Sequence, residues 1–224
     1  MQPWIHLASA SAPEGDRLRL SRRGEEFSIR LEGGNELMNS RLGGSEEALA
    51  TLSLDALPQN AAPRVLIGGL GMGFTLRAAQ EVASSQAELV VAEIVPELVS
   101  WATDHMAPVF GDCLSDPRVR VEIGDVAGMI RSAQGRFDAI MLDVDNGPDG
   151  LTRADNDGLY SVAGLNAARR ALSSKGVLAI WSAHPDPAFT RRLEKCGFEA
   201  TVHSVRASRA KRGSRHTIWI AKAH

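Results

Sequence analysis

The sequence is short of cysteine, short of aromatic residues and without a long apolar run, and each shortage narrows what the chain does. Only two cysteines occur, Cys113 and Cys196. They lie far apart and form no Cys-x-x-Cys pair, so neither a zinc site nor a redox motif is indicated, and two free thiols in a reducing compartment are expected. No stretch approaches the ~18 apolar residues of a membrane span. The opening MQPWIHLASASAPEGDR has no basic segment and no apolar core of a signal peptide, so a cytoplasmic protein with no membrane partner is expected. Six histidines (His6, His105, His184, His203, His216 and His224) show no ligand spacing, and no metal is expected. The net charge of -2 gives no global case for nucleic acid. One basic cluster, Arg206, Arg209, Lys211, Arg212 and Arg215, could meet phosphates, but no interleaved aromatics support base stacking, and a solvated hairpin tip is the simpler reading. Trp4, Trp101, Trp181 and Trp219 read as packing residues, and His184 as a surface turn or crevice residue.

What is present is an ordinary globular balance: 44% hydrophobic and 23% charged residues over 224 positions, enough for a substantial core. Ile5–Ala8, Arg17–Ser21 and Phe27–Leu31 are short and strand-like, with turns at Gly15-Asp16, Arg23-Gly24 and Gly33-Gly34-Asn35. A helix follows to about Leu57, with Ser45 as its expected N-cap. From Arg64 strands and helices alternate. Strands are predicted at 65–68, 88–94, 119–123, 139–143 and 177–181. Helices are predicted at 74–84, 96–106, 127–132, 162–172 and 187–196, with Gly176 closing the fourth. A hairpin at 200–205 and 217–221 ends the chain. The expected fold is α/β: a Rossmann-like, doubly wound, mainly parallel sheet with a C-terminal antiparallel hairpin and a small N-terminal antiparallel β unit. Residues 1–57 would form the small unit with its helix, and 58–224 the nucleoside-binding domain.

Four constellations fall at the carboxyl ends of these strands, where open α/β sheets bind ligands. Gly69, Gly71 and Gly73 in GLGMG follow the first strand; they suit a tight turn, close ligand approach and a helix N-terminus, or simply a tight connection. Glu93 ends the second strand, 20 residues beyond Gly73, where a carboxylate accepts from both hydroxyls of a ribose; it would otherwise be a helix-entry acid. The GxGxG spacing favours S-adenosylmethionine over a dinucleotide. Asp125, after the third strand, suits an adenine amino group or a plain turn. Asp143-Val144-Asp145-Asn146-Gly147-Pro148-Asp149 follows the fourth strand. Carboxylates here could draw in an amine and take its proton, with Asp143 best placed, or they could be turn residues. Tyr160 is a weaker candidate for substrate contact.

Taken together, IGGLGMGFTLR, VVAEIVPELV, DPRVRVEIGD, FDAIMLDVDNGP and GLYSVAGLNAARRALSSKGVLAI make residues 64–182 resemble the catalytic domain of the spermidine synthase (polyamine aminopropyltransferase) family. The resemblance implies that Glu93 holds the ribose, Asp125 the adenine end, and Gly69–Gly73 the methionine-derived tail, with Asp143 as the catalytic aspartate. It implies commonly a dimer. The chain departs from the family pattern at four places. Met72 stands where the glycine loop carries an aspartate, and Asn146 replaces the second aspartate after strand four. SEEALATL lies where the family has Tyr-His-Glu, and Leu165 replaces a tyrosine. Each departure removes a group that would recognise a polyamine or the decarboxylated cofactor.

Three functions follow. The first is aminopropyl transfer from decarboxylated S-adenosylmethionine to a small-molecule amine at Asp143, with Asp145 and Asn146 as secondary contacts. The second is methyl transfer from intact S-adenosylmethionine, for which Met72 leaves room. The third is a non-catalytic nucleoside-binding or assembly protein.

Overall fold

The computed structural model describes residues 2–12, 15–58, 62–144, 148, 156–208 and 213–223. Four antiparallel strands open the chain: β1 (Ile5–Ser11), β2 (Arg17–Arg23), β3 (Glu26–Leu31) and β4 (Glu36–Asn39), paired in that order. The fourth strand was not expected. It is four residues long, too short to show alternation. Helix α1 (Gly44–Asp55) follows and packs on α2 (Phe74–Val82).

The second sheet contains β5 (Arg64–Gly68), β6 (Glu88–Glu93), β7 (Val119–Ile123), β8 (Phe137–Leu142), β9 (Leu172–Ser182), β10 (Phe198–Arg206) and β11 (Arg215–Ala223). Its order is β10-β11-β9-β8-β5-β6-β7, parallel from β9 to β7 and antiparallel at the hairpin edge. The remaining helices are α3 (Pro96–Thr103), α4 (Ala107–Phe110), α5 (Val126–Ser132), α6 (Asn156–Tyr160), α7 (Val162–Ala171) and α8 (Pro187–Lys195). The Rossmann-like fold with its terminal hairpin and N-terminal antiparallel sheet is thus present.

Central strands buried on both faces explain the near-continuous apolar runs. Successive side chains point to opposite faces. Val65, Ile67, Met141, Ala179 and Ile218 therefore enter one core, and Leu66, Ile140, Leu142, Ile180 and Trp219 the other. The first core also takes Leu18, Leu20, Phe27 and Ile29, so the N-terminal sheet is packed onto the main sheet.

Three local expectations are corrected. The helix expected over 96–106 breaks at Asp104 (φ -109°, ψ -92°) and restarts as α4. Pro108 has no N–H to offer the Asp104 carbonyl and would clash with it in a continuous helix. Gly176 does not cap α7; it lies inside β9, where an added Cβ would sit 3.1 Å from the Asp138 carbonyl oxygen. Ser45 is not the N-cap of α1, which begins after Gly43 without a side-chain cap; Ser45 is fully buried as the second residue of the helix.

Strand order reverses at β5: β6 and β7 extend the sheet on one side, β8 and β9 on the other. Loops leaving β5 and β8 part there and open a crevice at the carboxyl ends.

Candidate active site

The loop after β5 is built on left-handed glycines: Gly69 (φ 90°), Gly71 (φ 53°) and Gly73 (φ 72°). An added Cβ at Gly69 would lie 2.5 Å from the Asp143 carbonyl oxygen, and one at Gly73 would meet the Phe110 ring at 2.6 Å. Those two glycines are required by close packing of protein against protein. At Gly71 the nearest atom would be Met38 Sδ at 3.9 Å, so this residue faces open space.

Glu93, the last residue of β6, is 5% exposed. Its Oε2 accepts from the Leu70 N–H (2.9 Å) and its Oε1 from the Val95 N–H (2.8 Å). Burial pushes its pKa up, while the amides of Val95, Leu70 and Ile94 pull it down. These bonds fix the carboxylate against the glycine loop. Each oxygen keeps accepting capacity for a further donor. Asp125 caps α5, accepting from the N–H groups of Ala127 (2.9 Å) and Gly128 (3.2 Å), and it still borders the crevice.

Glu93, Asp125, Gly69, Gly71 and Asp143 line one cavity, roofed by Leu18, Leu31 and Met38 of the N-terminal sheet. A second cavity of about 230 Å³ adjoins it and shares Leu37, Met38, Gly71 and Asp143. Asp143 sits at the seam, one residue past β8. Its Oδ2 accepts from the Thr75 hydroxyl at 2.7 Å. Burial raises its pKa to about 6 against that hydrogen bond.

The second cavity holds residues that the sequence did not single out. Glu46 of α1 is raised to about 7 by burial and by the neighbouring Asp143, with the Ser45 hydroxyl opposing. Ser45 Oγ donates to Glu46 Oε2 (2.5 Å) and lies 2.8 Å from His216 Nδ1. Ser45 Oγ thus links the Glu46 carboxyl to the His216 ring. Burial, and then His184, lower the His216 pKa. The imidazole packs edge-on to Trp181 with centroids 4.7 Å apart. The buried Trp181 indole N–H has no hydrogen-bond partner among the described residues. One clue in the sequence pointed here: Trp181 is near the carboxyl end of a central strand, the position rule that selected Glu93 and Asp143.

Other expected residues fall elsewhere. Tyr160 does not line either cavity; it is 2% exposed and packs edge-on to Phe189. Met72 is buried in the wall of the second cavity, not the first. Leu165 is wholly buried in the core. Asp145 and Asn146 lie outside the described residues, as do Arg209, Lys211 and Arg212 of the basic loop. Among the described residues no group of three or more His, Cys, Asp or Glu could hold a metal ion, and no helix is long and apolar enough to cross a membrane.

No protein-family model matches the chain, and no curated protein sequence does. Solved structures do match. Spermidine synthase from Thermotoga maritima aligns with TM-score 0.75 and 19% identity over 98% of this chain and 72% of that one. A spermidine synthase in complex with the transition state analogue AdoDATO aligns with TM-score 0.76 and 19% identity over the same shares. A probable spermidine synthase from Corynebacterium glutamicum gives TM-score 0.66 and 15% identity over 96% of this chain and 79% of that one. The chain therefore has the spermidine synthase fold, N-terminal sheet included.

Proposed function

We propose that this protein is an aminopropyltransferase-like enzyme that binds a decarboxylated S-adenosylmethionine-type donor in the first cavity and a small-molecule amine in the second. The observation that carries the reading is the seam: two cavities of different character meet at Asp143, with a strand-end carboxylate in the first and a second carboxylate in the other. Glu93 accepts from the ribose hydroxyls, Asp125 borders the adenine end, and the loop at Gly69 and Gly71 lies along the alkyl arm. The solved neighbour holding AdoDATO supports a donor of this kind.

In the transfer, the bound ammonium first passes one proton to Asp143 or Glu46 in its carboxylate form. The freed nitrogen lone pair attacks the carbon beside the sulfonium. A C–N bond forms, the C–S bond breaks, its electrons return to sulfur as a neutral thioether, and the alkylated nitrogen keeps its remaining protons as an ammonium. Alignment and deprotonation are the protein's contribution. Methyl transfer from intact S-adenosylmethionine is the second reading, favoured by a glycine loop, Gly69-Leu70-Gly71-Met72-Gly73, that carries no aspartate to repel the donor's carboxylate.

Calorimetric titration with decarboxylated and intact S-adenosylmethionine separates the two. Tighter binding of the decarboxylated form supports aminopropyl transfer, and the reverse order supports methyl transfer. Asp143→Asn is expected to lower turnover by about 10²–10⁴-fold while nucleoside binding survives. Retained turnover would remove Asp143 from the chemistry, and loss of nucleoside binding by both donors would remove the transferase reading.

A further inference from the structure

The second cavity is polarised. Its acidic groups among the described lining residues are Glu46 and Asp143. They stand together: Asp143 raises the Glu46 pKa, and the Thr75 hydroxyl that binds Asp143 Oδ2 at 2.7 Å is 3.4 Å from the Glu46 carbonyl oxygen. Much of the remaining described lining is apolar, including Leu37, Met38, Leu42 and Phe74. Leu37 is 38% and Leu42 40% exposed, so large apolar side chains line the mouth and lack a cover. Asn39, Trp181 and His216 are the other described lining residues with polar side-chain atoms; the indole N–H is a donor only, both His216 nitrogens meet serine hydroxyls, and the Asn39 amide is already used. The oxygen accepts from the N–H groups of Arg41 (3.0 Å) and Leu42 (3.1 Å), and the nitrogen donates to Glu36 (3.1 Å).

We propose that the acceptor is a monoamine with an apolar body, its cationic end at Glu46 and Asp143 and its hydrocarbon against Leu37 and Leu42. This rests on the transferase reading. A diamine would carry its second ammonium against apolar side chains where, among the described lining residues, the Asn39 oxygen and both His216 nitrogens are already engaged, and losing water there is costly. An alkyl end in the same place gains from burying apolar surface on both sides.

The test uses a matched pair, n-pentylamine and 1,4-diaminobutane, which differ by a methyl in place of an ammonium. Each is titrated calorimetrically into the whole protein, with and without saturating 5′-methylthioadenosine. The monoamine is expected to bind at least tenfold more tightly. Leu42→Asp, which places a carboxylate on the apolar wall at an exposed site, is expected to reverse or erase that preference. Equal binding, a preference of the unaltered protein for the diamine, or binding of neither amine would overturn the proposal. Failure of 5′-methylthioadenosine to bind would count against the transferase reading instead, and the amine titrations without nucleoside still report on the cavity.

Discussion

At the residue scale, the site depends on carboxylates held where carboxylates are costly. Glu93 is nearly buried but satisfied by two backbone amides, so removing it orphans both. Glu93→Ala should cost roughly 1–3 kcal/mol of stability for the unpaired N–H groups and abolish detectable nucleoside binding, read by melting and calorimetry. Asp143 and Glu46 titrate near 6 and near 7, and as interacting acids they share both steps. Transfer needs the carboxylate forms, so kcat/KM should rise with pH through this range. Stability runs the other way. Because folding raises both values above the unfolded 3.8 and 4.5, the native state holds more protons in this window. Stability is then full below the unfolded values and falls as pH climbs to about 7. Glu46→Gln should flatten this loss, so its melting temperature gains on the parent between about pH 5 and about pH 8. A constant difference between the two proteins would show that Glu46 is not held up by burial. Strand-end residues such as Glu93 and Asp143 were legible because position and type coincide. Glu46 and His216 were not, because the bond chain that joins them spans 171 residues and exists only after folding.

At the element scale, the glycine loop was readable as a turn but not in its division of labour. Gly69 is pinned by backbone, and Gly71 by nothing nearer than 3.9 Å. Gly69→Ala should be badly destabilised, since its positive φ costs roughly 1–3 kcal/mol before the clash with Asp143 is counted. Gly71→Ala should fold with a loss of about 1–2 kcal/mol but weaken nucleoside binding roughly tenfold, about 1.4 kcal/mol, because its methyl enters the cavities. Chemical denaturation beside calorimetry separates the two effects; equal damage at both positions would refute the division. Elements with a strong apolar signal, the continuous runs of β5, β6 and β8 and the amphipathic α2, were legible nearly to their ends. The break between α3 and α4 was missed because it follows from one proline acting four residues back. The inclusion of Ser173–Gly176 in β9 was missed because these residues bulge between the Leu172 and Val177 pairings with β8, with Lys175 at a left-handed φ of 64°, so locally they read as a turn.

At the scale of the whole molecule, the N-terminal sheet is part of the crevice. Leu18 and Leu31 close the first cavity, and Leu37 and Met38 roof both. The sequence separates residues 1–57 from the rest by composition, yet Phe27 and Ile29 share one apolar core with Ile67 and Leu76. A cover held by a continuous core should melt with what it covers. Calorimetric unfolding should therefore show one transition. Phe27→Ala, a truncation at a 1% exposed position, should lower that single transition. The cost of about 3–5 kcal/mol corresponds to roughly 10 °C in a chain of this length. Two resolved transitions, with only the lower one shifted by Phe27→Ala, would mean that the sheet unfolds by itself. The acceptor cavity would then be open or closed according to the state of its roof, and amine affinity would fall steeply with temperature below the main melt.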